Sequence, residues 1–126
     1  MTAQVLLDDY AQAVARLREV LASPAADDLD QAGCIQYFEF CFELAWKTIK
    51  VVGVVLGLVG LVSPRACLRL AFTRGWGGGE DVWLEMLDAR NRMSHTYKYQ
   101  DALVIYTRLP AFLPELEHLL DILKAV

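Results

Sequence analysis

Apolar residues recur along this chain at intervals of three and four, and strict alternation is almost absent. That period belongs to amphipathic helices rather than strands. Residues 3–22 predict a first helix, with Val5, Leu6, Val14, Leu17 and Leu21 on a noisy apolar face that also includes Asp9. "SPAADDLD" (23–30) is the connection, and Asp27 or Asp28 is placed to cap the next helix. That second helix is expected from about Leu29 to the glycine-rich segment near Gly57–Gly60. Ile35, Phe38, Phe42, Trp46, Ile49 and Val52 form one stripe, and Phe40, Leu44 and Val51 the opposite side. Only Gln36, Glu39, Glu43, Lys47 and Lys50 remain as a narrow polar row. A helix that is apolar nearly all round is enclosed by several neighbours, and in so short a chain one of them can be a second subunit.

"SPR" (63–65) reads as a helix start: Ser63 caps, and Pro64 fits a first position where no N–H is required. This short helix ends at Gly75, and "GWGGG" (75–79) is a turn. A fourth helix starts near Glu80 and reaches at least Ser94. A fifth runs from about Asp101 to Lys124, where Pro110 and Pro114 predict a bend or break. The expected fold is therefore all-α: one domain over 1–126, an antiparallel four-helix bundle with one additional short helix, dimeric.

Composition narrows the function. The hydrophobic share is 56%, above that of an ordinary soluble domain, which fits a generous core or an apolar face covered by a partner. A net charge of −4 argues against a general nucleic-acid or membrane binder. The charge is uneven, however. Arg65, Arg69, Arg74, Arg90, Arg92 and Lys98 outweigh Glu80, Asp81, Glu85 and Asp88 over residues 65–98, whereas residues 1–43 are acidic. The three cysteines, Cys34, Cys41 and Cys67, have no CxxC spacing and read as reduced, buried thiols of a cytoplasmic protein. Asp8 and Asp9 stand where a secretory signal would need basic and apolar residues. The apolar run 51–62, 12 residues long, is too short to span a membrane.

The stretch "ARNRMSHTYKY" (89–99) breaks this greasy rhythm. On a helical wheel centred on Trp83, with Met86 and Leu87 beside it, Arg90, Ser94 and Tyr97 continue the buried seam with polar groups. Asn91 and His95 share one flank, and Arg92 points away. A cationic extension of a core seam is costly unless it is paired. Two readings stay open: Arg90 meets Glu39 or Glu43 as the helix leaves the core, or it meets an anion in a cleft where His95 moves protons. Arg90 and His95 diverge by about 140° on a straight helix. Convergence on one ligand therefore needs a helix end or bend, or a second copy across a two-fold axis.

The pattern "RNRMSHTY" fits R-x4-H-x-Y and resembles the signature of HEPN domains paired with minimal nucleotidyltransferases. "YFEFCFELAWK" (37–47), "SPRACLRLAF" (63–72) and "VWLEMLDARNRMSHTY" (82–97) resemble, in order and spacing, the three blocks of the nucleotidyltransferase substrate-binding-protein branch of that superfamily. The resemblance implies a dimeric helical bundle with Arg and His of both chains in one cleft. It implies a metal-independent endoribonuclease toxin of a toxin–antitoxin pair, with catalytic Arg90 and His95 and auxiliary Asn91. A partner nucleotidyltransferase would neutralise it, in some systems by adenylylating the tyrosine, here Tyr97. The other reading of this branch is a non-catalytic subunit that binds substrate for a separate nucleotidyltransferase. The run "GVVLGLVGLV" (53–62) is more apolar and glycine-rich than the family pattern.

Several residues keep a plain reading beside a functional one. Glu43 and Lys47 have the spacing of a surface ion pair, although Glu43 could instead orient Arg90 or His95. Gly53 and Gly57 mark close packing or a fraying helix end. Tyr97, Tyr99 and Tyr106 could stack RNA bases, with bundle packing favoured for Tyr106. His118, among acidic neighbours, reads as surface. No cofactor is expected, and two histidines with dispersed cysteines offer no metal-ligand spacing.

Overall fold

In the computed structural model the described residues are 2–95 and 98–126, with the side chains of all of these except Ser94 and His95. Five helices follow in order: α1 (Ala3–Leu21), α2 (Asp28–Val55), α3 (Pro64–Thr73), α4 (Glu80–His95) and α5 (Tyr99–Ala125). No strand occurs among the described residues. The first three starts are set by side-chain caps, each satisfying a backbone N–H that has no partner inside its helix. Thr2 Oγ1 accepts from the N–H of Val5. Asp27 Oδ1 accepts from Asp30 at 2.9 Å. Ser63 Oγ accepts from Ala66 at 3.1 Å, with Pro64 in the first turn.

The end of α2 is equally local. Leu58 N–H donates to the Gly53 carbonyl at 2.9 Å, and Gly57 N–H to that of Val54 at 3.0 Å. Gly57 has φ 79°, a left-handed conformation that closes a helix end and suits glycine. Gly53 serves packing: a Cβ there would stand 2.6 Å from Cδ1 of Leu61.

The long helices α1, α2 and α5 form the main body, and α4 packs on α5 and, more narrowly, on α2. Tyr10, Phe38, Phe42, Trp83 and Phe112 are fully buried. Phe38 and Phe112 join α2 to α5 with ring centres 5.2 Å apart, and Phe42 and Trp83 join α2 to α4 at 6.2 Å. The Tyr10 hydroxyl donates to the Leu116 carbonyl at 2.6 Å, which offsets the cost of burying it.

Three expectations need correction. Tyr10, absent from the predicted face of α1, is core, whereas Val5 is exposed. The second helix is not enclosed all round, because Phe40, Val54 and Val55 are exposed in the chain. The fifth helix begins at Tyr99 and runs unbroken through both prolines. Pro110 and Pro114 lie four apart on an exposed face, so water can take the carbonyls they leave unpaired. Among the described residues, no helix is long and apolar enough to cross a membrane.

Candidate functional site

The apolar seam of α4 is Trp83, Met86, Leu87 and Ala89, all buried. Arg90 follows where α4 passes α2, its side chain 27% exposed. Its Nε donates to Glu43 Oε1 at 2.7 Å, and Nη2 lies 2.6 Å from the same oxygen. Nη1 donates to Asn91 Oδ1 at 3.1 Å. The other oxygen of Glu43 accepts from Trp46 Nε1 at 3.0 Å. Trp46, Glu43, Arg90 and Asn91 thus form one chain of hydrogen bonds between two helices. A charge held through two of its nitrogens by a half-buried carboxylate has a fixed position.

Of the two partners the sequence allowed for Arg90, the structure places Glu43. The surface pair of Glu43 with Lys47 does not form. The carboxylate is turned to Arg90 and Trp46, while the Lys47 ammonium lies 5.9 Å from the centre of the Trp46 ring. Trp46, read only as a core stripe residue, is the fourth member of this chain and the one that sequence reasoning missed. Its i, i+3 spacing from Glu43 was the available signal.

Glu39 stands one turn before Glu43 on α2. Burial raises its carboxyl above the usual range; Arg90 pulls it down and Glu43 adds to the rise. Glu39 also lines a cleft of about 290 Å³ together with Ala32, Ile35, Gln36, Phe40 and Met93. The cleft lies beyond Arg90 toward the C-terminal end of α4, because Met93 is its contribution from that helix.

Arg92 is 58% exposed and 3.1 Å from Asp88, on the outward side as the wheel predicts. His95 is the last residue of α4, about 7.5 Å along the axis from Arg90. The His95 side chain and all of Tyr97 lie outside the described residues. Tyr99 is half exposed, and its hydroxyl donates to Asp28 at 3.3 Å. The Tyr106 hydroxyl accepts from the Ala25 N–H at 2.9 Å, a packing role. His118 is exposed.

Cys34, Cys41 and Cys67 are buried and free. Burial raises all three thiols, that of Cys41 to about 12, so none has the thiolate character of a nucleophile. Among the described residues no group of three His, Cys, Asp or Glu side chains could hold a metal ion.

A family profile described as "Nucleotidyltransferase substrate binding protein like" matches residues 6–125. A Haemophilus influenzae protein described as "Probable ribonuclease HepT" is 34% identical over 97 residues, which cover 74% of this chain and 66% of that relative. The match therefore spans just under two thirds of the relative's length. A crystal structure from Thermus thermophilus is 31% identical, with a TM-score of 0.81 over 90% of this chain and 98% of that one. A second solved structure, from Haemophilus influenzae, is described as revealing the fold of a substrate binding domain of a nucleotidyltransferase. It is 28% identical, with a TM-score of 0.69 over 97% of this chain and 96% of its own.

Proposed function

The chain belongs to the nucleotidyltransferase substrate binding protein like family, and on that premise we propose that it is the HEPN component of a toxin–antitoxin-type pair, an endoribonuclease restrained by a partner nucleotidyltransferase. The observation that carries the reading is the Arg90–Glu43 pair, a cation fixed at the end of the α4 seam and one helical stretch before His95. The ribonuclease description of the Haemophilus influenzae relative supports it. In a homodimer, each chain would bring Arg90 and His95 to a shared cleft.

RNA cleavage without a metal needs a base, an acid and a cation. One His95 takes the proton of the 2′-hydroxyl, and the 2′-oxygen attacks the adjacent phosphorus. Arg90 carries the charge that builds on the phosphorane oxygens. The bond from phosphorus to the 5′-oxygen breaks as the second His95 gives that oxygen a proton. The products are a 2′,3′-cyclic phosphate and a 5′-hydroxyl. Glu43 and Asn91 hold Arg90 in place for this step.

The partner would silence the site by adenylylating Tyr97, two residues from His95: the phenolic oxygen attacks the α-phosphorus of ATP, the bond from that phosphorus to the β-phosphate oxygen breaks, and pyrophosphate and the hydroxyl proton leave. Incubation with a minimal nucleotidyltransferase, ATP and Mg²⁺ should add one AMP, and Tyr97→Phe should abolish the adduct. An adduct that survives Tyr97→Phe would place the modification elsewhere.

The test of catalysis is the purified chain, unmodified at Tyr97, incubated with RNA in EDTA. His95→Ala should lose about 10²–10⁴-fold in rate, the usual contribution of a proton-transfer group, with an unchanged fold. The second reading is a substrate-binding subunit without catalysis, favoured by the family description and by the description of the second solved neighbour. Intact RNA after incubation with wild type would establish that reading instead.

A further inference from the structure

We propose that the cleft between α2 and the C-terminal end of α4 is a base subsite selective for guanine, so that the bound RNA places a guanine beside the Arg90 phosphate position. The proposal rests on the RNA-directed reading of the Arg90 and His95 site, and it assigns Gln36, Glu39 and Phe40 roles that this site does not use.

The placement follows from the helix order. Glu43 holds Arg90 from α2, and the cleft begins one turn away, at Glu39 on α2 and Met93 on α4. From the level of Glu43 to that of Gln36 is about 10 Å along α2, within the reach of one nucleotide from phosphate to base edge. The cleft volume of about 290 Å³ accommodates a purine with its first hydrating waters.

The lining has the chemistry of base recognition. Phe40 is 48% exposed, and its ring makes a T-shaped pair with that of Tyr37, centres 6.3 Å apart. An exposed aromatic side chain at the wall of a cleft can serve as a stacking platform. Gln36 and Glu39 are three apart on α2 and therefore neighbours on one face. Among the described residues, the Arg90 guanidinium is bonded to Glu43 and Asn91, and the Glu39 carboxyl accepts no hydrogen bond. Both of its oxygens are available as acceptors.

Two parallel acceptors select among the bases. Guanine presents two adjacent donors on one edge, N1–H and the N2 amino group, which match a carboxylate. The Gln36 amide N–H then donates to O6 beside them. Cytosine and uracil each present one donor next to an acceptor, and adenine sets its N1 lone pair against the carboxylate. A bidentate base contact discriminates by about 10- to 100-fold.

Calorimetric titration of the full chain with the 3′-monophosphates of guanosine, adenosine, cytidine and uridine tests the assignment. The guanosine nucleotide should bind about 10- to 100-fold more tightly than the others. Glu39→Gln should bring it to their level, and Phe40→Ala should weaken all four, with both variants keeping the wild-type melting temperature. Equal affinities, no binding at all, or a guanine preference that survives Glu39→Gln would overturn the proposal. Mapping of RNA cleavage separates it from the ribonuclease reading. Guanine binding by a protein that leaves RNA intact would keep the subsite and remove the nuclease. Cleavage with no guanine next to the cut sites would do the reverse.

Discussion

The Arg90 guanidinium is the residue on which structure and chemistry meet. It is bound by Glu43 and Asn91 at the edge of the core, so its removal leaves a half-buried carboxylate without its cation. Arg90→Ala should lose RNA cleavage and also cost about 1–3 kcal/mol of stability, read as a lower urea midpoint. Glu43→Gln, which keeps the shape and a hydrogen bond, should cost less stability and lower the rate by loosening Arg90. Arg92→Ala should alter neither much, because its side chain is exposed and its ion pairs with Asp88 and Asp101 are screened by water; loss of activity there would mean that α4 presents its other face to the substrate. The buried thiols give a pH prediction of known sign. Cys41 is neutral in the folded protein up to about 12, against an ordinary 9.0. Below 9.0 both states carry the thiol and stability is complete. As pH rises from 9.0 toward about 12 the unfolded chain alone ionises, so stability falls. A thiol reagent at about pH 8, below the ordinary thiol value, should label none of the three cysteines in the native protein and all of them in denaturant.

At the scale of elements, each capped helix start is legible in a few letters, since a cap needs only an oxygen two or three residues ahead of an orphan N–H. "SPRA" and "DDLD" are therefore reliable in the chain itself. The end of α2 is legible for a related reason: Gly57 must take φ 79°. Gly57→Ala should destabilise by about 1 kcal/mol, seen as a lower melting temperature with unchanged helix content. Gly33, within α2 and with no neighbour near a Cβ, should instead gain about 1 kcal/mol as alanine. The prolines of α5 do not break the helix, because the cost of a proline depends on whether its freed carbonyls reach water, a tertiary property. The α4–α5 contact is reinforced by Arg108, which donates to both oxygens of Glu85 at 2.6 and 2.8 Å. The guanidinium holds the Glu85 carboxyl below its usual range. That contribution is present above the unfolded carboxylate value and is lost as pH falls through the folded one. Arg108→Ala should accordingly move acid unfolding slightly to higher pH, a small effect because both side chains are exposed enough to be screened.

For the whole molecule, the composite cleft proposed above would need two chains. Light scattering at micromolar concentration should give about twice the 14.1 kDa of one chain. A monomer that still cleaves RNA would require Arg90 and His95 of one chain to suffice. Periodicity and capping letters alone determined an all-α bundle with its short third helix, because helix formation is decided by neighbours three and four residues away. Motif spacing determined the family and drew attention to Arg90 and His95. Which acid pairs with Arg90 was not in the sequence: Glu39 and Glu43 are one turn apart on the same face of α2, and only the height at which α4 packs against α2 selects Glu43. The same packing turned the Glu43 carboxylate from Lys47 to Trp46 and Arg90, and placed Gln36, Glu39, Phe40 and Met93 around one cleft. Local pattern decides what each helix is; the register between helices arises from side chains distant in sequence filling one core, and that register decides which charges meet.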